Sequence, residues 1–174
     1  LVVALREPEQ LDVVLGGAAG DLVVSDEAAN AERDLVIGDS GRVLLATSGL
    51  FVLAETTDAA SGGVDEIRTG DGWDLVFGGT AGDLLVAGGP DAVIGLAKGD
   101  RSQDVVVGDG GRATFTAGVL VEIRSTDPTQ GGDDTIRTGD GADYVLAGSG
   151  DDDVLTETSR DEDADDVVIG DNGR

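Results

Sequence analysis

An internal repeat decides most of what this chain can fold into. Gly38-Asp39-Ser40-Gly41-Arg42 recurs as Gly108-Asp109-Gly110-Gly111-Arg112 and again as Gly170-Asp171-Asn172-Gly173-Arg174. Ile67-Arg68-Thr69-Gly70-Asp71-Gly72 recurs 69 residues later as Ile136-Arg137-Thr138-Gly139-Asp140-Gly141. The stretch from Asp12 to Asp21 recurs 62 residues later from Asp74 to Asp83. The chain therefore reads as a single elongated array over 1–174: a partial copy at 1–42 and full copies at 43–112 and 113–174. The middle copy carries an extra stretch from about Gly89 to Ser102.

A shorter period runs inside the long one. Asp65, Asp74 and Asp83 are nine residues apart, as are Asp134, Asp143 and Asp152, and Asp12 and Asp21. Two residues after each stands an aliphatic, such as Ile67, Val76 and Leu85. Most are preceded by a glycine-rich turn, for example Thr138-Gly139-Asp140-Gly141-Ala142. The same step appears out of phase at Asp34, Asp104 and Asp166. Three residues of strand span only ~10 Å, so one such unit can bury its aliphatic only by stacking on copies of itself. The expected fold is all-β, a parallel β-solenoid with turns along both edges. Stacking brings one Asp per layer into a column, and like charges that close repel unless a cation lies between them. Carboxylates and turn carbonyls are hard oxygen ligands that suit Ca²⁺.

These residues resemble the haemolysin-type (RTX) calcium-binding nonapeptide, G-G-x-G-x-D-x-U-x. The resemblance implies a parallel β-roll with Ca²⁺ between turns two nonapeptides apart. The ligands would be turn carbonyls and the sixth-position Asp. Carried over, Asp65 and Asp83 share one edge, and Asp134 and Asp152 form another such pair. Asp74 and Asp143 lie on the opposite edge, with their next partners expected near Asp91 and Thr158 to Asp161. The full candidate metal set is Asp12, Asp21, Asp34, Asp65, Asp74, Asp83, Asp91, Asp104, Asp134, Asp143, Asp152 and Asp166. Asp39, Asp109 and Asp171 join it if the Gly-Asp-x-Gly turn binds an ion instead of marking an exit from the roll. Thr69, Thr138, Ala87 and Ala147 replace the first Gly of the motif. Position four is Ala19 or Ala81 in two turns.

Between the nonapeptide blocks lie two β-rich stretches, Val43 to Thr56 and Ala113 to Ser125. Each is split by a turn, Thr47-Ser48-Gly49 or Thr116-Ala117-Gly118, and reads as a hairpin. Many residues flanking the inward aliphatic are themselves apolar: Leu35 and Ile37, Leu75 and Phe77, Leu84 and Val86, Val105 and Val107, Val167 and Ile169. Strands apolar on both faces need cover on both. The hairpins, or a neighbouring protomer, are the candidates. Glu66 with Arg68 and Thr135 with Arg137 mark outward polar positions.

Composition narrows the chemistry. Asp and Glu number 36 against 11 Lys and Arg, giving a net charge of −25, which argues against nucleic acid and anionic membranes. His and Cys are absent, which excludes Cys- or His-ligated zinc, disulfides and the Ser–His–Asp triad. No apolar run of 18 residues is present for a membrane-spanning helix. With 40% hydrophobic residues the chain has material for a core once the acids are neutralised, which weighs against disorder. The acidic run Asp161 to Asp166 fails as an EF-hand loop, having Asp166 where Gly belongs and Asn172 where Glu belongs. Arg42, Arg112 and Arg174 read as surface partners of the acidic columns, and Trp73 as packing or surface. No carboxylate pair stands out for catalysis, so a non-enzymatic role is expected. Lacking an initiator Met or a signal segment, the sequence reads as part of something longer, extracellular or on the cell surface.

The expected function is a calcium-binding structural segment that folds on binding Ca²⁺ and self-associates or stacks on neighbouring repeats. The alternatives are a module binding ice or carbohydrate, and the non-catalytic tail of a secreted hydrolase or toxin.

Overall fold

The computed structural model describes residues 2–4, 11–25, 33–88, 101–156 and 164–171. Asp91 and Thr158 to Asp161, expected as column partners, and Arg174, expected as a surface partner, lie outside these residues. Among them the chain is all-β. The strands are β1 (Val2–Ala4), β2 (Asp12–Leu15), β3 (Leu22–Val24), β4 (Asp34–Ile37), β5 (Gly41–Leu45), β6 (Phe51–Thr56), β7 (Glu66–Arg68), β8 (Leu75–Gly79), β9 (Leu84–Val86), β10 (Val105–Asp109), β11 (Gly111–Thr116), β12 (Val119–Ser125), β13 (Thr135–Arg137), β14 (Tyr144–Leu146), β15 (Asp153–Leu155) and β16 (Val167–Ile169).

Twelve of them form two parallel six-stranded sheets, in the orders β1-β3-β7-β9-β13-β15 (sheet one) and β16-β14-β10-β8-β4-β2 (sheet two). Apart from the excursions after β4 and β10, the chain alternates between these sheets strand by strand. The nonapeptide period sets the register. Val23, Ile67, Leu85, Ile136 and Val154 are aligned across sheet one. Val14, Val36, Val76, Val106, Val145 and Val168 are aligned across sheet two. Alternation along a strand sends the central residue of each triplet one way and its neighbours the other. The central aliphatics of both sheets, apart from exposed Val168 at the end of sheet two, meet in one cluster, which is the first core.

The two excursions are hairpins, as expected, and they join into a third sheet, antiparallel and ordered β12-β11-β6-β5. Its seam is the β6–β11 pair, with Ala54 opposite Ala113. This sheet packs on the outward face of sheet two and buries Leu35, Ile37, Leu75, Phe77, Val105 and Val107 against Ala54, Ala113 and Phe115. The apolar flankers of sheet two are therefore covered from within the chain over β4, β8 and β10. Two expected pairs differ. Leu84 and Val86 belong to sheet one, outside this second core, and Val167 and Ile169 at the end of sheet two are 45% and 46% exposed.

The repeated Gly-Asp-x-Gly-Arg marks the departure from sheet two. A Cβ on Gly111 would lie 2.5 Å from the Phe77 ring, and one on Gly41 would lie 2.6 Å from Ile37 Cδ1. Only glycine lets the backbone turn this closely over the sheet. The arginines that follow serve the third sheet, not the Asp columns as expected: Glu55 on β6 pairs with Arg42 and, at 3.6 Å, with Arg112.

Candidate metal centre

Each nonapeptide Asp closes a turn just before its strand, so parallel stacking aligns them edge by edge. The backbone N–H of one Asp donates to Oδ1 of the Asp in the next layer. On the first edge the series is Asp21 to Asp65 at 2.7 Å, Asp65 to Asp83 at 2.8 Å, Asp83 to Asp134 at 2.8 Å and Asp134 to Asp152 at 3.0 Å. On the second edge it runs from Asp12 to Asp34, Asp34 to Asp74 at 2.8 Å, Asp74 to Asp104 at 2.9 Å, Asp104 to Asp143 at 2.8 Å and Asp143 to Asp166 at 2.9 Å. Eleven of the expected residues thus fall into two columns. One expectation is corrected. The layer after Asp74 is supplied by Asp104, and the layer after Asp143 by Asp166. Asp34, Asp104 and Asp166, out of phase in sequence, are in phase in space.

This arrangement uses one oxygen of each carboxylate. On the first edge the Oδ2 atoms of Asp65, Asp83 and Asp134 are buried and accept no hydrogen bond. A buried carboxylate oxygen without a partner is costly. Loss of solvation, aided by neighbouring carboxylates and opposed by the backbone hydrogen bonds, pushes Asp65 up to about 7, Asp83 to about 9 and Asp134 to about 8 from an ordinary 3.8. Such sites need a proton or a cation.

The surroundings supply further oxygens. Beside each of these Oδ2 atoms lies the glycine two residues past the central aliphatic of the preceding sheet-two strand. A Cβ on Gly38 would lie 2.2 Å from Asp65 Oδ2 and 2.5 Å from the Gly78 carbonyl oxygen. A Cβ on Gly78 would lie 2.5 Å from Asp83 Oδ2 and 2.0 Å from the Gly108 oxygen, and one on Gly108 would lie 2.2 Å from Asp134 Oδ2 and 2.1 Å from the Ala147 oxygen. Bare Cα atoms let a carboxylate and a carbonyl from adjacent turns converge. Among the described residues no three acidic side chains form a metal-holding group, so the columns offer one carboxylate per layer and depend on carbonyls for the rest. Mixed carboxylate and carbonyl oxygen is a donor set that fits Ca²⁺.

Asp39 and Asp109 sit elsewhere. Asp39 accepts from Gly63 N–H at 3.1 Å and from both the N–H and the hydroxyl of Thr80, at 2.6 and 2.9 Å. Asp109 repeats this with Gly132 N–H at 3.2 Å and Ser149 N–H at 2.5 Å. Each carboxylate ties the place where the hairpin leaves sheet two to the turn where the chain rejoins sheet one. Burial lifts Asp109 to about 6, and these hydrogen bonds hold it down. Asp171 is exposed at the far end of sheet two.

Sequence reasoning missed the hydroxyls of the second edge. Ser25, Thr69 and Thr138 are buried at the start of its turns. The signal was present as the non-glycine residue in the first motif position. A hollow of about 470 Å³ lies between the β11–β12 hairpin and the second edge, lined by Arg33, Phe51, Trp73, Gln103, Phe115 and Tyr144 among others. Trp73 packs against the second core there, with the Arg33 guanidinium 5.9 Å above its ring.

No protein-family model, no curated protein and no solved structure matches this chain.

Proposed function

We propose that this chain is a calcium-stabilised structural segment of an extracellular or cell-surface protein, built as a parallel β-roll of the haemolysin-type repeat. The observation that carries the reading is the row of buried, hydrogen-bond-free Oδ2 atoms on Asp65, Asp83 and Asp134 in a chain of net charge −25. Bound Ca²⁺ supplies positive charge between layers. The chain's own residues do the rest: Asp Oδ1 atoms fix the register, Oδ2 atoms and turn carbonyls hold the ion, and the central aliphatics close the core. Binding free energy is then folding free energy. Neighbouring repeats or further copies stack on the ends of the sheets, where Val13, Leu15, Val167 and Ile169 are exposed.

The test is far-UV circular dichroism with light scattering while Ca²⁺ is titrated into EDTA-treated protein, with Mg²⁺ as control. A coil-to-β transition specific to Ca²⁺ is expected. Scattering that rises with it supports assembly. At pH 8, a β spectrum unchanged by EDTA overturns the calcium role.

The hollow beside Trp73 favours a second reading, a carbohydrate-binding module, since aromatic rings with a few polar groups at the rim suit a sugar face. Trp73 fluorescence on titration with oligosaccharides separates the two.

A further inference from the structure

This inference rests on the calcium reading and concerns one layer of the second column. The residues that follow the strands of sheet one are equivalent. Ser25 N–H donates to Arg68 O, Thr69 to Val86 O, Ala87 to Arg137 O and Thr138 to Leu155 O. Their counterparts after the strands of sheet two include Gly16 and Gly38, whose N–H groups donate to Ile37 O and Phe77 O. At those glycines the carboxylate that closes the turn lies against a bare Cα. At Ser25 a side chain fills the equivalent place. Its hydroxyl donates to Asp34 Oδ2 at 2.6 Å and lies 3.4 Å from the Thr69 carbonyl oxygen. Ser25 is 2% exposed and Asp34 1%.

The contrast within the molecule is chemical. Asp65, Asp83 and Asp134 keep a buried Oδ2 with no hydrogen-bond donor. Asp34 has a short O–H donor on the same atom, and that donor also approaches the turn carbonyl of the next layer. Thr69 and Thr138 occupy the same position, but their buried hydroxyls make no hydrogen bond. Of the hydroxyls of Ser25, Thr69 and Thr138, that of Ser25 is the one engaged with its carboxylate. A hydroxyl dipole on a carboxylate makes a strong, charge-assisted contact. It also takes up the oxygen and the space that a cation needs. We infer that the Asp34 layer is closed by the Ser25 hydroxyl in place of an ion, which gives the second column a Ca²⁺-free step.

The experiment counts Ca²⁺ bound per chain at saturation by native mass spectrometry of the full 174-residue chain, for wild type, Ser25→Gly, Asp34→Asn and Asp83→Asn. Circular dichroism in Ca²⁺ checks the fold of each. Ser25→Gly is expected to gain one ion, Asp34→Asn to keep the wild-type count, and Asp83→Asn to lose at least one. If Ser25→Gly does not fold, Asp34→Asn still decides. A loss of ions in Asp34→Asn, or an unchanged count in folded Ser25→Gly, overturns this inference while leaving the calcium reading intact. A wild type that binds no Ca²⁺ overturns both.

Discussion

Removing Ca²⁺ at controlled pH is the sharpest perturbation available, because the buried carboxylates fix the sign of the response. Asp83 ionises at about 9 in the folded chain against 3.8 ordinarily, and Asp134 at about 8. A raised folded value means that the folded state holds its proton more tightly than the unfolded state does. The stability this contributes is fully present below about 3.8 and drains away as pH rises, until it is gone above about 9. At pH 7, Asp83 alone would cost the metal-free fold about 4 kcal/mol relative to acid conditions, at ~1.4 kcal/mol per pH step. That is a large part of the ~5–15 kcal/mol that holds a typical domain together. The metal-free chain should therefore keep β structure near pH 5 and lose it by pH 8. Added Ca²⁺ should restore it, most strongly at the higher pH. The assay is urea unfolding followed by circular dichroism in EDTA, at pH 5 to 8.5 and low protein concentration, because the chain's pI is about 4.1. A metal-free stability that stays flat or rises over this interval would refute the reasoning.

Other outcomes follow from single side chains. Asp83→Asn should raise the urea midpoint in EDTA at pH 7 and shrink the further gain from Ca²⁺, since it removes a carboxylate that must take up a proton on folding at that pH but keeps the Oδ1 acceptor. Gly78→Ala should cost ~2–4 kcal/mol in the urea midpoint with Ca²⁺ present, because its Cβ would lie 2.0 Å from the Gly108 oxygen. Phe77→Ala should cost ~3–5 kcal/mol, read by the same unfolding curves, since Phe77 is fully buried beneath the third sheet. Asp109→Ala should lower stability by ~1–3 kcal/mol without changing the number of ions counted by mass spectrometry, because its carboxylate serves two backbone amides.

The regular part of this architecture was legible because nine residues are one turn and one strand. Wherever that count holds, as from Asp65 to Asp83 and from Asp134 to Asp152, residue spacing reports the layer directly. It fails at Asp34, Asp104 and Asp166 because detours change the chain length between layers without changing the stacking. Register is set by strand pairing, which ignores how far the chain wandered. Counting onward by nine pointed to Asp91 and the 158–161 stretch, whereas hydrogen bonding selects Asp104 and Asp166. The hairpins were legible from their two apolar runs, and their place over Leu75 and Phe77 from the flanking apolar residues. The partners of Arg42 and Arg112 were not, because Glu55 becomes their neighbour only once the hairpins share a sheet. Ser25 was hidden for the same reason as Asp34. Its carboxylate lies nine residues on, whereas Thr69 and Thr138 each lie five residues before theirs.

Because the ladders run strand to strand through the stack, pulling on the two ends loads the layers one after another, as in opening a zip. Each release should pay out the chain held between neighbouring layers. That length is 18 residues from Asp65 to Asp83 and 51 from Asp83 to Asp134. At ~3.3–3.6 Å per residue these are extensions of roughly 6 and 18 nm. The molecule would behave as a graded shock absorber, with short steps from plain layers, long ones from layers that carry a hairpin or other detour, and a yield force set by dissolved calcium.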